Sequence, residues 1–409
     1  MSTAMRIPKV LAACLATFAV AACSGTAGAD VRGDAPHVDL DFASTPHVAD
    51  AALASQALAW AVVQGSDSAN TITSPSSLAM SLAMVAEGAD GVSVDSIDAA
   101  LGLSGEERAK AYAALRQALS GYDSLPTKVD ANDPPETPVV HLAGQVLAID
   151  SAAKKAFLDA LSKWYDVGAT QAPRPAAKKA LDAWVAKNTA GLIEKSGIEV
   201  TPKVRVVLQD ALLFAAAWET PFEDTSMQFD LPSGPATVDA VTATFEVRFA
   251  AGDRWTAIRL PYDDNLAADI VLPITGRAPE QISDTELALA GQALDQATPS
   301  LHTVTMPSFD LSTSTDLLEA LPQVDLSNLN GIIDDGAAGQ WVQQVRLQVS
   351  ALGTVGAAVT EIAVTESAAQ GERPAEFIVD RGYVVRVLDT RTGWPLFLGV
   401  VNDPTEKPA

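Results

Sequence analysis

Side chains able to do enzymatic chemistry are few in this chain and are not spaced for it. The four histidines, His37, His47, His141 and His302, have no metal-ligand spacing with one another or with a cysteine. No HExxH, CxxC or EF-hand pattern occurs, and neither a GxSxG elbow nor a phosphate-binding glycine loop is present. His302 opens an apolar run and reads as structural. With 51 Asp and Glu in the chain, close carboxylate pairs arise by chance. A hydrolase reading therefore finds no candidate residue, and no metal or cofactor is expected. Two stretches carry other chemistry. Val20-Ala21-Ala22-Cys23-Ser24 sets small residues before a thiol, a pattern for leader cleavage followed by acylation of Cys23. The second stretch runs from Gly353 through Thr354, Val355, Gly356, Ala357, Ala358, Val359 and Thr360 to Ala369, and its chemistry is that of the backbone. Alternate residues of a strand share a face, so Thr354, Gly356, Ala358, Thr360, Ile362 and Val364 would lie together, with no charge before Glu366. The other face carries one charge, Glu361, free to point at water. The segment can serve as a buried strand as well as an exposed loop; a plain hairpin or Gly/Ala linker is the alternative.

Composition bounds the rest. A chain of 409 residues, 48% hydrophobic, can bury a large core. A net charge of -24 argues against nucleic acid, whose phosphates demand clustered Lys and Arg. The acids are spread along the chain, as on a solvated surface. Arg6 and Lys9 precede an apolar run, Val10 to Ala22, that is too short to span a bilayer, which takes about 20 residues. With Cys23 this resembles a bacterial lipoprotein signal. Leu11-Ala12-Ala13-Cys14 fits the pattern too, but cleavage there would leave almost no apolar run; an ordinary secretory signal is the alternative. Cys14 and Cys23 are the only cysteines, so no disulfide is expected in the processed chain. Residues 1–22 are thus read as leader, 23–42 as a flexible Gly, Ala, Asp and Pro tether, 43–404 as one domain and 405–409 as a tail.

The elements that would position these stretches fall into two groups. Helical signals come early: Ser74-Pro75 as a cap with Leu78, Leu82 and Val85 on one face, and a capping box at Ser104-Gly105-Glu106-Glu107 with Tyr112, Leu115 and Leu119 inward. Leu158, Leu161 and Tyr165 mark a further helix, as do Leu181, Trp184, Val185 and Asn188. Strands dominate later, over Val204–Phe214, Ala268–Leu272, His302–Met306, Trp341–Ser350, Phe377–Leu388 and Leu396–Val401. Helices first and strands later indicate an α+β fold.

Several motifs, in order, resemble one family, the serpins. Asn70-Thr71-Ile72-Thr73-Ser74-Pro75-Ser76-Ser77 is similar to the family's N-x-x-x-S-P-x-S, and Gly88-Ala89-Asp90-Gly91 to its G-A-x-G. Trp184-Val185 with Thr189, Gly191 and Ile193 resembles W-V-x-x-x-T-x-G-x-I. Val207 to Phe214, followed by Trp218, Pro221 and Phe222, resembles V-L-V-N-A-x-x-F with W-x-x-P-F. Leu260-Pro261-Tyr262, Met306-Pro307-Ser308-Phe309 and Leu396-Phe397-Leu398-Gly399 fit three more. The resemblance covers nearly all of 48–404. It implies helices packed around a large central mixed β-sheet, two further sheets and an exposed reactive loop, with Gly353 to Thr360 as the loop's hinge. It implies a monomeric suicide substrate: a serine protease partner cuts the loop, and the loop enters the sheet as a new strand before the acyl-enzyme is released.

Departures from the family pattern fall near the hinge and under the sheet. The family's acidic residue two places before the hinge glycine is Ala351, and its usual lysine partner is Ser308; both halves of that pair are missing together. With Trp218 these form the expected breach at the head of the sheet. The Asn and His that the family links under the sheet are replaced by Asp210 and Gln343, so a substituted network with Ser74 and Ser77 is expected. The family's hinge-to-scissile spacing points to the Ser367–Ala368 bond, with Thr365, Glu366 and Ala368 as further candidates. The absence of Lys or Arg there disfavours trypsin-like targets. Small residues suit elastase-like or subtilisin-like enzymes, and Glu366 would suit a glutamate-specific one. The expected setting is the cell envelope outside the cytoplasm, with the protein held to a membrane by Cys23. The rival reading is a non-inhibitory binding protein or plain protease substrate of the same fold.

Overall fold

The computed structural model describes residues 31–130, 134–135, 137–355 and 374–408. Helices α1 (Val48–Gln64), α2 (Pro75–Ala86), α3 (Val92–Leu101) and α4 (Gly105–Ala118) form one cluster. Further along lie α5 (Lys155–Tyr165), α6 (Arg174–Asn188), α7 (Asp284–Gln296) and the one-turn α8 (Leu317–Ala320). The strands are β1 (Thr71–Thr73), β2 (Val139–Ile149), β3 (Ala169–Ala172), β4 (Val206–Ala217), β5 (Glu223–Leu231), β6 (Gly234–Ala251), β7 (Trp255–Pro261) and β8 (Leu266–Pro273). They continue as β9 (Ser300–Pro307), β10 (Phe309–Asp316), β11 (Val342–Val349), β12 (Gly353–Thr354), β13 (Ala375–Ile378), β14 (Tyr383–Asp389) and β15 (Trp394–Val401).

Two sheets result. One runs β10-β11-β12-β4-β2-β3 and is mixed, with β2 and β3 parallel and its other pairs antiparallel. The other has nine strands, in the order β1-β15-β14-β8-β7-β6-β9-β13 with β5 added on β6. The 18-residue β6 joins its halves, pairing with β5 and β9 along one stretch and with β7 along the next. The two further sheets expected from the resemblance are therefore continuous through one strand.

The core lies between the sheets and around α1 and α2. Fully buried Trp60 and Trp394 each find an acceptor, the Ile282 carbonyl at 2.8 Å and the Ser55 hydroxyl at 3.2 Å. That satisfies the indole N–H that burial would otherwise leave costly. Ser74 caps α2 by accepting from the Ser77 N–H, with Pro75 in the first turn where its missing N–H costs nothing. In β4, Leu208, Asp210, Leu212 and Phe214 share the face toward this core, while Val207 packs with Leu181 of α6 on the opposite face.

Three expectations need correction. The Ser104 hydroxyl makes no cap bond, because Gly105 enters α4 left-handed at φ 53° and turns the box out of register. The run Phe377–Leu388 is two strands, since β13 pairs parallel with β9 and β14 antiparallel with β15 and β8. Residues 31–42 are not a free tether. Val31 bridges Ala169 of β3, and the Gly33 N–H donates to Ser162 at 2.8 Å. Gln117 donates to the Val38 carbonyl and accepts from the Leu40 N–H. Val38, Leu40 and Phe42 pack on the main core, so this stretch has the apolar anchors that a tether lacks. Among the described residues no helix is long and apolar enough to cross a membrane.

Candidate functional site

The head of the six-stranded sheet is built from β4, β11 and the short β12 between them. Gly353 pairs with Ala217, and Thr354 with Ala216 on one side and Val349 on the other. The Val355 N–H donates to the Gln348 carbonyl at 3.1 Å, so three residues of the expected hinge already lie in the sheet. Glycine is required at 353 for β12 to stay in the sheet: a Cβ there would lie 2.3 Å from the Ala216 carbonyl oxygen, which is backbone. Thr354 is fully buried and its hydroxyl bonds the Tyr262 phenol. Tyr262 stacks on Trp218 at 4.3 Å, and Trp218 Nε1 donates to the Ser350 carbonyl at 2.9 Å. The Ala351 carbonyl accepts from the Phe222 N–H at 2.8 Å. Trp218, Ala351 and Thr354 thus meet at one place, and Ser308 stands one residue ahead of the Phe309–Val349 pair, its N–H donating to the Asp239 carbonyl. Val355 then turns left-handed at φ 67°, a conformation that costs a β-branched residue roughly 1–3 kcal/mol. It would lose that strain on becoming extended.

Below Thr354 the sheet is split. Among the described residues no ladder joins β4 to β11, and a cavity of about 900 Å³ lies between them. Leu208, Asp210 and Leu212 line it from β4, Val342 to Arg346 from β11, and Ser74, Ser77 and Leu78 from α2. β12 runs antiparallel to both neighbours, so β4 and β11 are parallel to each other. A strand continuing from β12 would complete an antiparallel ladder on each side.

The expected network under the sheet is divided by this slot. Gln343 uses its whole amide on the α2 side. Its Oε1 accepts from Thr73 Oγ1 at 2.6 Å and from the Ser74 N–H at 3.1 Å, and its Nε2 donates to the Ser74 carbonyl at 3.0 Å. The Ser74 hydroxyl donates to the Leu396 carbonyl at 2.8 Å. Asp210, across the slot, is not reached by Gln343. Both its carboxylate oxygens are buried with no partner of hydrogen-bonding geometry. Burial pushes its carboxyl up to about 7, against the opposing pull of the Arg116 guanidinium and the Ser77 hydroxyl. Arg116, from the last turn of α4, is half-buried, and its Nη1 is buried and unpartnered. The hinge positions Gly356, Ala357, Ala358, Val359 and Thr360, the scissile candidates Thr365, Glu366, Ser367 and Ala368, and Cys23 lie outside the described residues.

The serpin (serine protease inhibitor) family pattern matches residues 52–404. The chain belongs to the serpin family. An uncharacterised serpin-like protein of Thermococcus kodakarensis is 24% identical over 357 residues, spanning 82% of this chain and 81% of that one. Serine protease inhibitor 42Dd of Drosophila melanogaster is 26% identical over 348 residues, 76% of this chain and 87% of the relative. Among solved structures, the native state of the thermophilic serpin tengpin superposes with a TM-score of 0.77 at 18% identity. It covers 92% of this chain and 100% of its own.

Within this serpin, sequence reasoning missed Arg116 as the charge facing Asp210. A basic residue in the last turn of a helix reads as solvated and favourable to the helix dipole. The signal available was its place beside Leu115, four residues after Tyr112, on a helix that already buries another arginine, Arg108.

Proposed function

We propose that this serpin inhibits serine proteases as a suicide substrate. The half-filled slot carries the reading: Gly353, Thr354 and Val355 are bonded between β4 and β11, and the strands part below them. The protease serine attacks a carbonyl in the loop and the peptide C–N bond breaks. The amine leaves with the C-terminal segment, and the new acyl ester ties the enzyme to the N-terminal side. The severed loop is then free to continue from β12. Kept in the register of Thr354 with Ala216 and Val349, Thr360 falls opposite Asp210 on β4 and Gln343 on β11. Its inward face would bring a hydroxyl donor to a carboxylate that now lacks one. Each added ladder bond contributes about 0.5–1.5 kcal/mol, so filling the slot yields on the order of 10 kcal/mol with burial of Ile362 and Val364. That is enough to make the change one-way.

The cut falls among Thr365, Glu366, Ser367 and Ala368, and the targets are elastase-like or subtilisin-like enzymes with pockets for small uncharged side chains. The protein acts as a monomer outside the cytoplasm, held to the cell envelope through lipid on Cys23. The test mixes the processed chain with elastase, subtilisin and a glutamate-specific protease and resolves the products under denaturing conditions. An adduct that survives denaturant, with a released peptide starting after one of the four candidates, is expected. Clean cleavage with no adduct from any enzyme would instead make the protein a substrate or binding member of the family.

A further inference from the structure

Charge is distributed unevenly in this acidic molecule. Of its 27 Lys and Arg and 51 Asp and Glu, residues 151–205 hold ten and five, leaving 17 against 46 elsewhere. The fold gathers much of this excess on one face. α6 covers the outer side of β2 and β4, and the segment after it is tied alongside. Lys178 Nζ donates to the Ser196 carbonyl at 2.6 Å, Asp182 accepts the Ser196 N–H at 2.9 Å, and Arg174 donates to the carbonyls of Thr201 and Val204. These bonds hold Lys195 and Lys203 along the flank of α6 that carries Lys178 and Asp182, with Lys179 exposed next to that flank and Lys187 exposed further along the helix. All four are exposed, and none has an ion-pair partner among the described residues. Asp182, the acid of α6, is already paired with Lys178 at 2.7 Å, while Glu194 and Glu199 are exposed nearby.

A second observation concerns where the chain enters the domain. Val31 bridges Ala169 on β3, the edge strand of the sheet, and β3 runs through Pro173 directly into α6. The described chain therefore begins, at Val31, on the strand that leads into α6. We propose that the outer face of α6, with the segment 195–203, docks on an anionic phospholipid surface and fixes how the protein stands on its membrane. The proposal rests in part on reading Cys23 as the anchor. The remainder of the molecule, strongly acidic, is repelled by the same surface, so the charge pattern selects one orientation instead of general adsorption. Attraction of this kind acts within about a Debye length and weakens as salt rises.

Amine footprinting tests it. The processed full chain is bound to vesicles of phosphatidylcholine alone or with added phosphatidylglycerol, and lysines are labelled and mapped by mass spectrometry. Labelling of Lys179, Lys187, Lys195 and Lys203 should fall several-fold on the anionic vesicles, recover in high salt, and leave Lys110 of α4 unchanged. The variant Lys179→Glu, Lys187→Glu, Lys203→Glu should erase the fall while melting as the parent does. Equal labelling on both vesicles, an equal fall at Lys110, or a fall that persists in the variant would each overturn the proposal. Mass spectrometry of the N-terminus reads the anchor separately. If Cys23 carries no lipid, the free chain replaces the neutral-vesicle sample as reference and the face is judged by the same criteria.

Discussion

Two aspartates with buried carboxylate oxygens show how differently the two sheets are finished. Asp269, on β8 of the nine-stranded sheet, is met by Arg259 Nε at 2.6 Å and Nη2 at 2.9 Å, and by Arg386 Nη2. Arg386 also bonds Gln56 of α1 and the Leu287 carbonyl of α7. Burial alone would raise the Asp269 carboxyl, but Arg386 and Arg259 hold it below the usual carboxylate value. Asp210, on β4 of the six-stranded sheet, is a half-buried residue whose two carboxylate oxygens are nevertheless shut off from solvent, with neither a bonded cation nor a donor of good geometry. In one sheet the aspartate is fully paired and its network ties β7, β8 and β14 to α1 and α7; in the other the aspartate's bonding capacity is unspent next to an open slot. The proposed inhibition, which would change one sheet while keeping the other, needs that division.

The largest expected effect comes from completing the unfinished sheet. Limited cleavage within Thr365–Ala368 should raise the melting temperature by roughly 10–15 °C, from about 10 kcal/mol spread over the unfolding entropy of a domain this size. Calorimetry of intact and cut protein checks this, and equal transitions would remove the contrast between the sheets. Next, Asp269→Ala should cost about 3–5 kcal/mol by leaving two buried guanidinium groups without their shared anion, read as a lowered denaturation midpoint.

Asp210→Asn should behave oppositely, and its effect should depend on pH. The native carboxyl titrates near 7 and the unfolded one near 4, so native protein holds a proton that unfolded chain has released. Native stability from this group therefore falls as pH rises between about 4 and 7, by up to ~2–4 kcal/mol, and is flat above. The asparagine variant should lose that slope and melt higher than the parent at pH 8. Asp269 has the reverse sign: its contribution is present above the unfolded carboxyl value and lost as pH falls through its lowered one. Glycines at matching crowded points give the smallest contrast. A Cβ at Gly399 would lie 2.4 Å from the Thr71 carbonyl oxygen between β15 and β1, with no way out, so Gly399→Ala should cost about 2–3 kcal/mol. Gly353→Ala meets a similar clash, but β12 can leave the sheet; its stability should fall less, by about 1 kcal/mol or under, while adduct formation slows.

Much of this was legible in the sequence where local rules act alone. The Ser74-Pro75 cap, the inward Tyr112, Leu115 and Leu119, and the strand that became β11 all follow from capping chemistry and periodicity. What escaped depends on contacts between distant segments. β12 has only two residues, too few for a period of two to register, and its pairing is decided by β4 and β11. Asp380-Arg381-Gly382 interrupts the apolar run from Phe377, but that the chain passes there from one half of the nine-stranded sheet to the other is decided by the distant partners β9 and β8. Asp210 and Gln343 were recognised as polar positions under the sheet, but a width across the slot cannot be read from residue types. Residues 31–42 looked like linker by composition, and only the acceptors and donors of α4, α5 and β3 make them part of the body.

The central claim is that the slot between β4 and β11 is the place the cut loop fills. Hydrogen exchange followed residue by residue on intact and loop-cleaved protein tests it most directly. The account predicts that slot-facing amides of Val206–Leu212 and Val342–Arg346 slow on the order of 100-fold after cleavage, while amides of β8 and β14 keep their rates. Unchanged exchange along β4 and β11 in protein shown to be cut would contradict it.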